Sequence, residues 1–274
     1  MGFGCNAAGV VGCRIIDSPR ERLLGILTNS LVPCNGRFPT IIALISMFFV
    51  TGVGWAASLQ SALMLAGLIL LGILATFGAT WLLSRTILRG MPSAFTLELP
   101  PYRRPQPGRV ILRSIFDRTL FVLGRAAAVA APAGLLLWLM ANVMVGDASL
   151  LSHTAAFLDP AGRLLGLDGV ILTAFILGFP ANEIVLPIAL MAYTAGGSLT
   201  ELGELAAIRP LLLAQGWDMG TALCFMLFSL FHWPCSTTLW TVRKETGSLK
   251  WTALAALLPT TIGIVVCAVV NWVV

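Results

Sequence analysis

The sequence predicts an all-α fold, a polytopic bundle of transmembrane helices with broken or re-entrant segments, and three observations predict it. Hydrophobic residues make up 58% of the chain and charged residues 11%, whereas a soluble domain carries about 25% charged residues to cover its surface. Long stretches lack charge altogether: Pro39 to Ser84 and Trp251 to Val274 contain no Asp, Glu, Lys or Arg. Finally, glycine and proline interrupt the apolar runs where a straight helix would otherwise continue, at Gly178-Phe179-Pro180 and at Trp233-Pro234.

Crossing the hydrocarbon takes about 20 apolar residues. The spacing predicts spans over 39–57, 61–84, 125–145, 217–240 and 251–274, the first two joined by a turn near Gly52–Gln60. Charges sort by segment. Basic residues dominate 10–40, 85–118 and 241–250, and acidic residues dominate 146–168 and 195–218. Basic loops belong on the cytoplasmic side, so the first group is expected inside and the second outside. If 169–194 crossed once, this alternation would fail. If it enters and turns back at Phe179-Pro180, every loop has the expected sign. Re-entrant backbone requires protein or a wet cavity to satisfy its polar groups. The other reading is one proline-kinked span that breaks the charge rule.

Between the spans, 86–108 is dense in proline (Pro92, Pro100, Pro101, Pro105, Pro107) and reads as a loop. Segment 109–124 alternates Val110, Ile111, Ile115, Phe116 and Leu120 with Arg109, Arg113, Asp117 and Arg118. It reads either as an amphipathic helix on the membrane surface or as an extension of the next span. The chain thus divides into 1–84 (first gate region and transmembrane hairpin), 85–124 (cytoplasmic loop and amphipathic helix) and 125–274 (second gate region with spans and the re-entrant segment).

Three interruptions carry chemistry. Gly2-Phe3-Gly4-Cys5-Asn6 is followed by Pro33-Cys34-Asn35-Gly36-Arg37-Phe38-Pro39. The others are Gly178-Phe179-Pro180-Ala181-Asn182-Glu183 and His232-Trp233-Pro234-Cys235-Ser236-Thr237-Thr238. Broken helices free backbone carbonyls and line substrate sites in transporters. Cys5, Cys34, Cys235, His232 and Glu183 are the candidate metal-binding side chains. Thiolate, imidazole and carboxylate together suit a borderline divalent transition ion better than a nucleoside or an alkali cation. Asn6, Asn182, Ser236 and Thr237 stand beside them and are expected to line the pathway. Each cysteine has a plain alternative as a small buried residue. Glu183 stands apart, because a mid-span acid costs on the order of 2.5–3.5 kcal/mol. It is expected to face the protein interior at a turn in the membrane. Cys13, Cys224 and Cys267 read as packing, and His153 as solvated.

The six cysteines form no CxxC pair, which argues against a disulfide scaffold. No secretory signal opens the chain, and an apparent motif begins so close to Met1 that an upstream portion is expected. No GxxxxGK[ST] loop, GxSxG or HExxH occurs, so the chain is expected neither to hydrolyse nucleotide nor to act as an enzyme.

These motifs resemble the membrane domain of the FeoB ferrous iron transporter family. Gly2-Phe3-Gly4-Cys5-Asn6, with Asp17-Ser18-Pro19-Arg20-Glu21-Arg22 downstream, is similar to the first gate motif, which Pro33–Pro39 continues. Glu98-Leu99-Pro100-Pro101-Tyr102-Arg103 is similar to a cytoplasmic element of the family. Gly178–Val185 is similar to a third motif, and Pro234–Leu239 with Lys244–Ser248 to the second gate. One departure is that Cys5-Asn6-Ala7-Ala8-Gly9 lacks the proline that usually follows the first gate cysteine. The resemblance implies Fe²⁺ import across the inner membrane, with Cys5 and Cys235 as pathway residues. It also implies coupling to a GTP-binding domain that this chain lacks, so GTP would act only through that domain and the chain would hold no cofactor of its own. The expected partners are Fe²⁺, membrane lipid, the upstream portion and further copies of the chain, with no nucleic acid. The rival readings are a gate-type nucleoside or small-solute permease and a non-transporting membrane scaffold or partner subunit.

Overall fold

The computed structural model describes residues 2–50, 52, 54–90, 108, 121–146, 148–194 and 205–273. Nearly all of the described chain is helical: α1 (Asn6–Gly12), α2 (Pro19–Thr28), α3 (Phe38–Leu44), α4 (Trp55–Arg85), α5 (Phe121–Asn142), α6 (Leu150–Leu164), α7 (Gly169–Leu177), α8 (Val185–Thr194), α9 (Leu205–Ala214), α10 (Met219–Phe231), α11 (Ser236–Thr246) and α12 (Leu249–Val273). A minimal antiparallel pair, β1 (Met144–Val145) and β2 (Ala148–Ser149), joins α5 to α6.

Among the described residues three stretches are long and apolar enough to cross a membrane, α4, the α10–α11 pair and α12, and the bent pair α6–α7 makes a fourth if it counts as one span. Their outward faces are apolar: α4 exposes Trp55, Leu63, Leu74, Phe77 and Trp81, and α12 exposes Val265, Val269 and Trp272. In water such continuous apolar faces would be costly; in a bilayer they meet lipid. The chain is an all-α membrane protein, and the broken helices that its glycines and prolines predict are present.

The interruption in 169–194 is a hairpin. α7 ends at Gly178, α8 begins at Val185, and the two arms pack against each other. Their far ends meet: Tyr193 near the end of α8 donates to Asp168, the N-cap of α7. Trp217 Nε1 donates to the same phenol oxygen at 2.9 Å. A chain that crossed once would carry these two residues to opposite sides. The turn is tight because a Cβ on Gly178 would lie 2.5 Å from Val185 Cγ2 and 2.9 Å from the Ala174 carbonyl oxygen. Only glycine allows that approach. α6 packs along α7 at a bend of 108°.

The core lies where α7, α8 and α10 meet. Phe175 is its centre, with Phe225 and Phe228 at 4.9 and 4.8 Å between ring centroids. Ile171, Leu186, Ile188 and Phe231 are buried around it. Aromatic side chains at these separations add to the packing energy beyond area alone.

Several expectations need correction. The span expected over 39–57 is only α3 and a π-helical turn, Ile45–Phe49, about 18 Å of helix and too short to cross. The chain then turns through Gly52 and Gly54, both with positive φ, close to the predicted turn. Segment 10–40 is not a loop but holds the end of α1 and all of α2. Ser18 caps α2 by accepting from the Glu21 amide at 3.4 Å, with Pro19 in the first turn, a start signal written in the sequence. Segment 146–168, expected as a loop, contains α6, and 241–246 continues α11 up to Gly247, whose left-handed φ of 63° ends the helix. Charge sorting reports the side of a segment, not its conformation. The expected loop and surface helix over 86–124 lie outside the described residues apart from 86–90, 108 and 121–124, as does 195–204 of the acidic segment.

Candidate functional site

The three interruptions converge. The Asn35 amide donates to the Gly4 carbonyl at 3.2 Å, joining the two halves of the first. The Ser236 amide donates to the Phe179 carbonyl at 3.0 Å, joining the second to the third. A Cβ on Gly36 would lie 3.8 Å from Glu183 Oε2, so the first touches the second as well. α1 and α11, the helices that follow Cys5 and Cys235, pack side by side.

Both cysteines occupy the same local position. Each is the N-cap of a short helix with extended ψ: Cys5 at φ −151°, ψ 124° and Cys235 at φ −59°, ψ 157°. The backbone break at Cys5 therefore forms without the proline that the sequence lacks there. Their surroundings differ. Cys5 is exposed and Cys235 is half-buried, with its sulfur 3.3 Å from Thr238 Oγ1. Cys34 is half-buried too.

Sequence reasoning missed Arg37. Its side chain is fully buried, at 0% exposure. One terminal nitrogen donates to the Leu230 carbonyl at 2.7 Å and to the Ser30 carbonyl at 3.3 Å. The other donates to the carbonyls of His232 at 3.1 Å and Trp233 at 3.4 Å. Three of these acceptors sit at the broken C-terminal end of α10, where helix carbonyls lack partners and the dipole is negative. Among the described residues no carboxylate pairs with it, and its Nε has no hydrogen-bond partner. The thiols of Cys34 and Cys235 lie within its electrostatic range. A proline two residues from the end of an apolar helix, together with an arginine inside another interruption, was the available signal.

His232 is 1% exposed. Its Nδ1 faces the Ser229 carbonyl at 2.9 Å and the Phe228 carbonyl at 3.1 Å. Carbonyls only accept, so Nδ1 carries the proton. Nε2 then holds the lone pair and faces the buried Asn182 side-chain amide at 3.3 Å. Turning that amide so that its NH₂ meets Nε2 satisfies both groups. The imidazole is thus committed to the protein on both sides.

Glu183 differs from expectation. It was expected to face the interior, but it is exposed, in the single 3₁₀ turn Asn182–Ile184 that follows Pro180. The hairpin tip is too short to bury it. Among the described residues Asn6 is buried with no partner for its Oδ1, and Ser236 Oγ has none either. Thr237 is half-buried and receives the Thr241 hydroxyl at its carbonyl, 2.8 Å away. Among the described residues no three of His, Cys, Asp and Glu stand close enough to hold a metal ion together. The five candidate ligands are therefore not gathered in one cage. A separate cavity of about 330 Å³, lined by Asp168, Trp217, Asp218, Cys224 and Asn271 among others, contains none of them.

The family described as ferrous iron transport protein B C terminus matches residues 65–117, and the gate family described as nucleoside recognition matches residues 123–249. A protein named Fe(2+) transporter FeoB from Staphylococcus aureus is 28% identical over 94% of this chain. Proteins of the same name from Leptospira interrogans and Methanocaldococcus jannaschii are 27% and 26% identical over 90% and 99% of it. The chain spans 37–40% of the length of these curated relatives. No solved structure matches.

Proposed function

We propose that this chain, a relative of the C-terminal membrane portion of ferrous iron transport protein B, is the permease part of a Fe²⁺ transporter in the cytoplasmic membrane. One observation carries the reading: the three interruptions, each bearing a thiol or a carboxylate, meet at one place in a membrane protein. Fe²⁺ is a borderline ion that accepts both oxygen and sulfur ligands. Glu183, exposed at the hairpin tip, offers a negative charge and a hard oxygen to an arriving ion. An ionised side chain is tolerated at membrane depth where it meets a wet cavity or another protein group. Cys235, Cys34 and Cys5 follow with sulfur. Ligands strung along a path, rather than closed into a cage, suit an ion that has to leave again. His232 and Asn182 hold the wall, and Asn6, Ser236 and Thr237 offer polar atoms along it. The proposal includes several passes through the membrane, lipid around α4 and α12, contacts between copies of the chain and coupling to a GTP-binding domain on another part of the transporter.

The match to a family described as nucleoside recognition favours a second reading, a nucleoside permease. Influx of Fe²⁺ and of a radiolabelled nucleoside into proteoliposomes containing the full chain separates the two. Fe²⁺ influx that is lost in the Cys5→Ser/Cys235→Ser variant is expected. Nucleoside influx that survives both substitutions, without Fe²⁺ influx, favours the second reading. A chain that moves neither solute is a scaffold or partner subunit.

A further inference from the structure

The broken end of α10 presents carbonyl oxygens inward, and carbonyl oxygens are the ligands that replace an ion's hydration shell in membrane proteins. Here that set is already filled, by the Arg37 guanidinium. It reaches Leu230, His232 and Trp233 at one helix end and Ser30 at another segment, all within 3.4 Å. A carboxylate partner would make Arg37 an ordinary buried ion pair, but none accepts from it among the described residues. Burying a cation without a formal counter-charge is costly, and the carbonyl dipoles here take the place of the anion.

We propose that Arg37 is a tethered cation that fills the carbonyl set at the broken end of α10 and so excludes free monovalent cations from it. The proposal rests on the transport reading in so far as a cation route passes this point. In this role Arg37 is a specificity-determining residue. Potassium and sodium are abundant, and a vacant set of carbonyls beside Cys235 would hold them. A guanidinium fixed there occupies those carbonyls in their place, while the thiols of Cys34 and Cys235 remain for an ion that binds sulfur. The competing account is a plain brace, in which Arg37 only ties Ser30 to the end of α10 and any loss of stability is the same in every salt.

The test compares the full chain with Arg37→Gln and Arg37→Lys in two assays that do not use Fe²⁺. Glutamine removes the charge and keeps one donor group, while lysine keeps the charge. The first assay is thermal unfolding in detergent at equal ionic strength in potassium, thallium(I) or N-methylglucamine chloride. Arg37→Gln is expected to be stabilised by potassium and thallium over N-methylglucamine, because those ions fill the vacated carbonyls, whereas the unsubstituted chain melts alike in all three. The second is thallium(I) influx into proteoliposomes, expected to rise on the order of tenfold in Arg37→Gln, because the vacated carbonyls can then replace the ion's hydration shell. Arg37→Lys is expected to stay near the unsubstituted rate. Equal unfolding of Arg37→Gln in all three salts with no thallium influx overturns the proposal, as does an Arg37→Gln chain that fails to fold in every salt. Absent Fe²⁺ influx in the unsubstituted chain would overturn the transport reading alone and leave both assays standing.

Discussion

Cys5 and Cys235 open helices in the same way, yet one is exposed and the other follows a helix end held by a buried cation. At Cys235 the preceding helix ends at Phe231, three residues before Pro234, its carbonyls are held by Arg37, and the thiol is half-buried beside Thr238. At Cys5 there is no proline, no side-chain cap and an exposed thiol. That segment is held by a backbone bond from Asn35 to Gly4, by the Asn29 side-chain amide donating to the Asn6 carbonyl at 2.8 Å, by packing of α1 on α11, and by a two-pronged contact of the exposed Arg14 with Glu245 at 2.6 and 2.7 Å. Equal local geometry therefore does not mean equal rigidity. The Cys235 segment is built into the core, and the Cys5 segment packs on it.

Substitutions that probe each side sharpen the contrast. Arg37→Ala should have the largest effect, because it strands carbonyls that are buried away from water. Unpaired buried groups cost about 1–3 kcal/mol each, so a loss on the order of 3–5 kcal/mol is expected by denaturant unfolding. A near-neutral Arg37→Ala would show that the second gate is no more tightly built than the first. Tyr193→Phe comes next. It removes the bond that brings the ends of the hairpin together and leaves Trp217 Nε1 without its acceptor, so about 1–2 kcal/mol is expected. Faster hydrogen exchange in α8, with α4 unchanged, would locate the damage in the hairpin. Between the cysteines, Cys235→Ser should reduce Fe²⁺ influx more than Cys5→Ser, and the reverse order would place the tighter contact at the first gate. The smallest effect is expected from Arg14→Ala, since its guanidinium stands at the surface, where an ion pair contributes little and is screened by salt. A melting temperature that falls clearly in this variant would mean that the first gate depends on its surface contact.

Much of this arrangement can be read from the residues. Apolar length marks α4 and α12, and Gly178-Phe179-Pro180 marks the hairpin turn. The helix interruption at His232–Cys235 follows from Pro234 ending an apolar run. Other parts are hidden because they depend on contacts distant in sequence. Nothing near Asp168 shows that Tyr193 folds back to it, and nothing near Arg37 shows that its acceptors come from residues 230–233. Glu183 was misplaced for a related reason: an apolar flank shows that a residue belongs to a membrane segment, but not that it lies at the tip of a hairpin too short to cover it. α2 and α6 were hidden differently. Their capping residues, Ser18 and Ser149, were visible, but sorting segments by charge passes over local start signals.

If Cys235 lies on the route of the cation, a bound ion shields its thiol from alkylation. The full chain is treated with a small maleimide under anaerobic, reducing-agent-free conditions, and modification of the peptide that contains Cys235 is followed with Fe²⁺, with Mg²⁺ or with neither. Fe²⁺ is expected to slow the reaction at Cys235 by about tenfold while Mg²⁺, which prefers oxygen ligands, leaves it unchanged. An alkylation rate at Cys235 that is the same in all three conditions would contradict that placement.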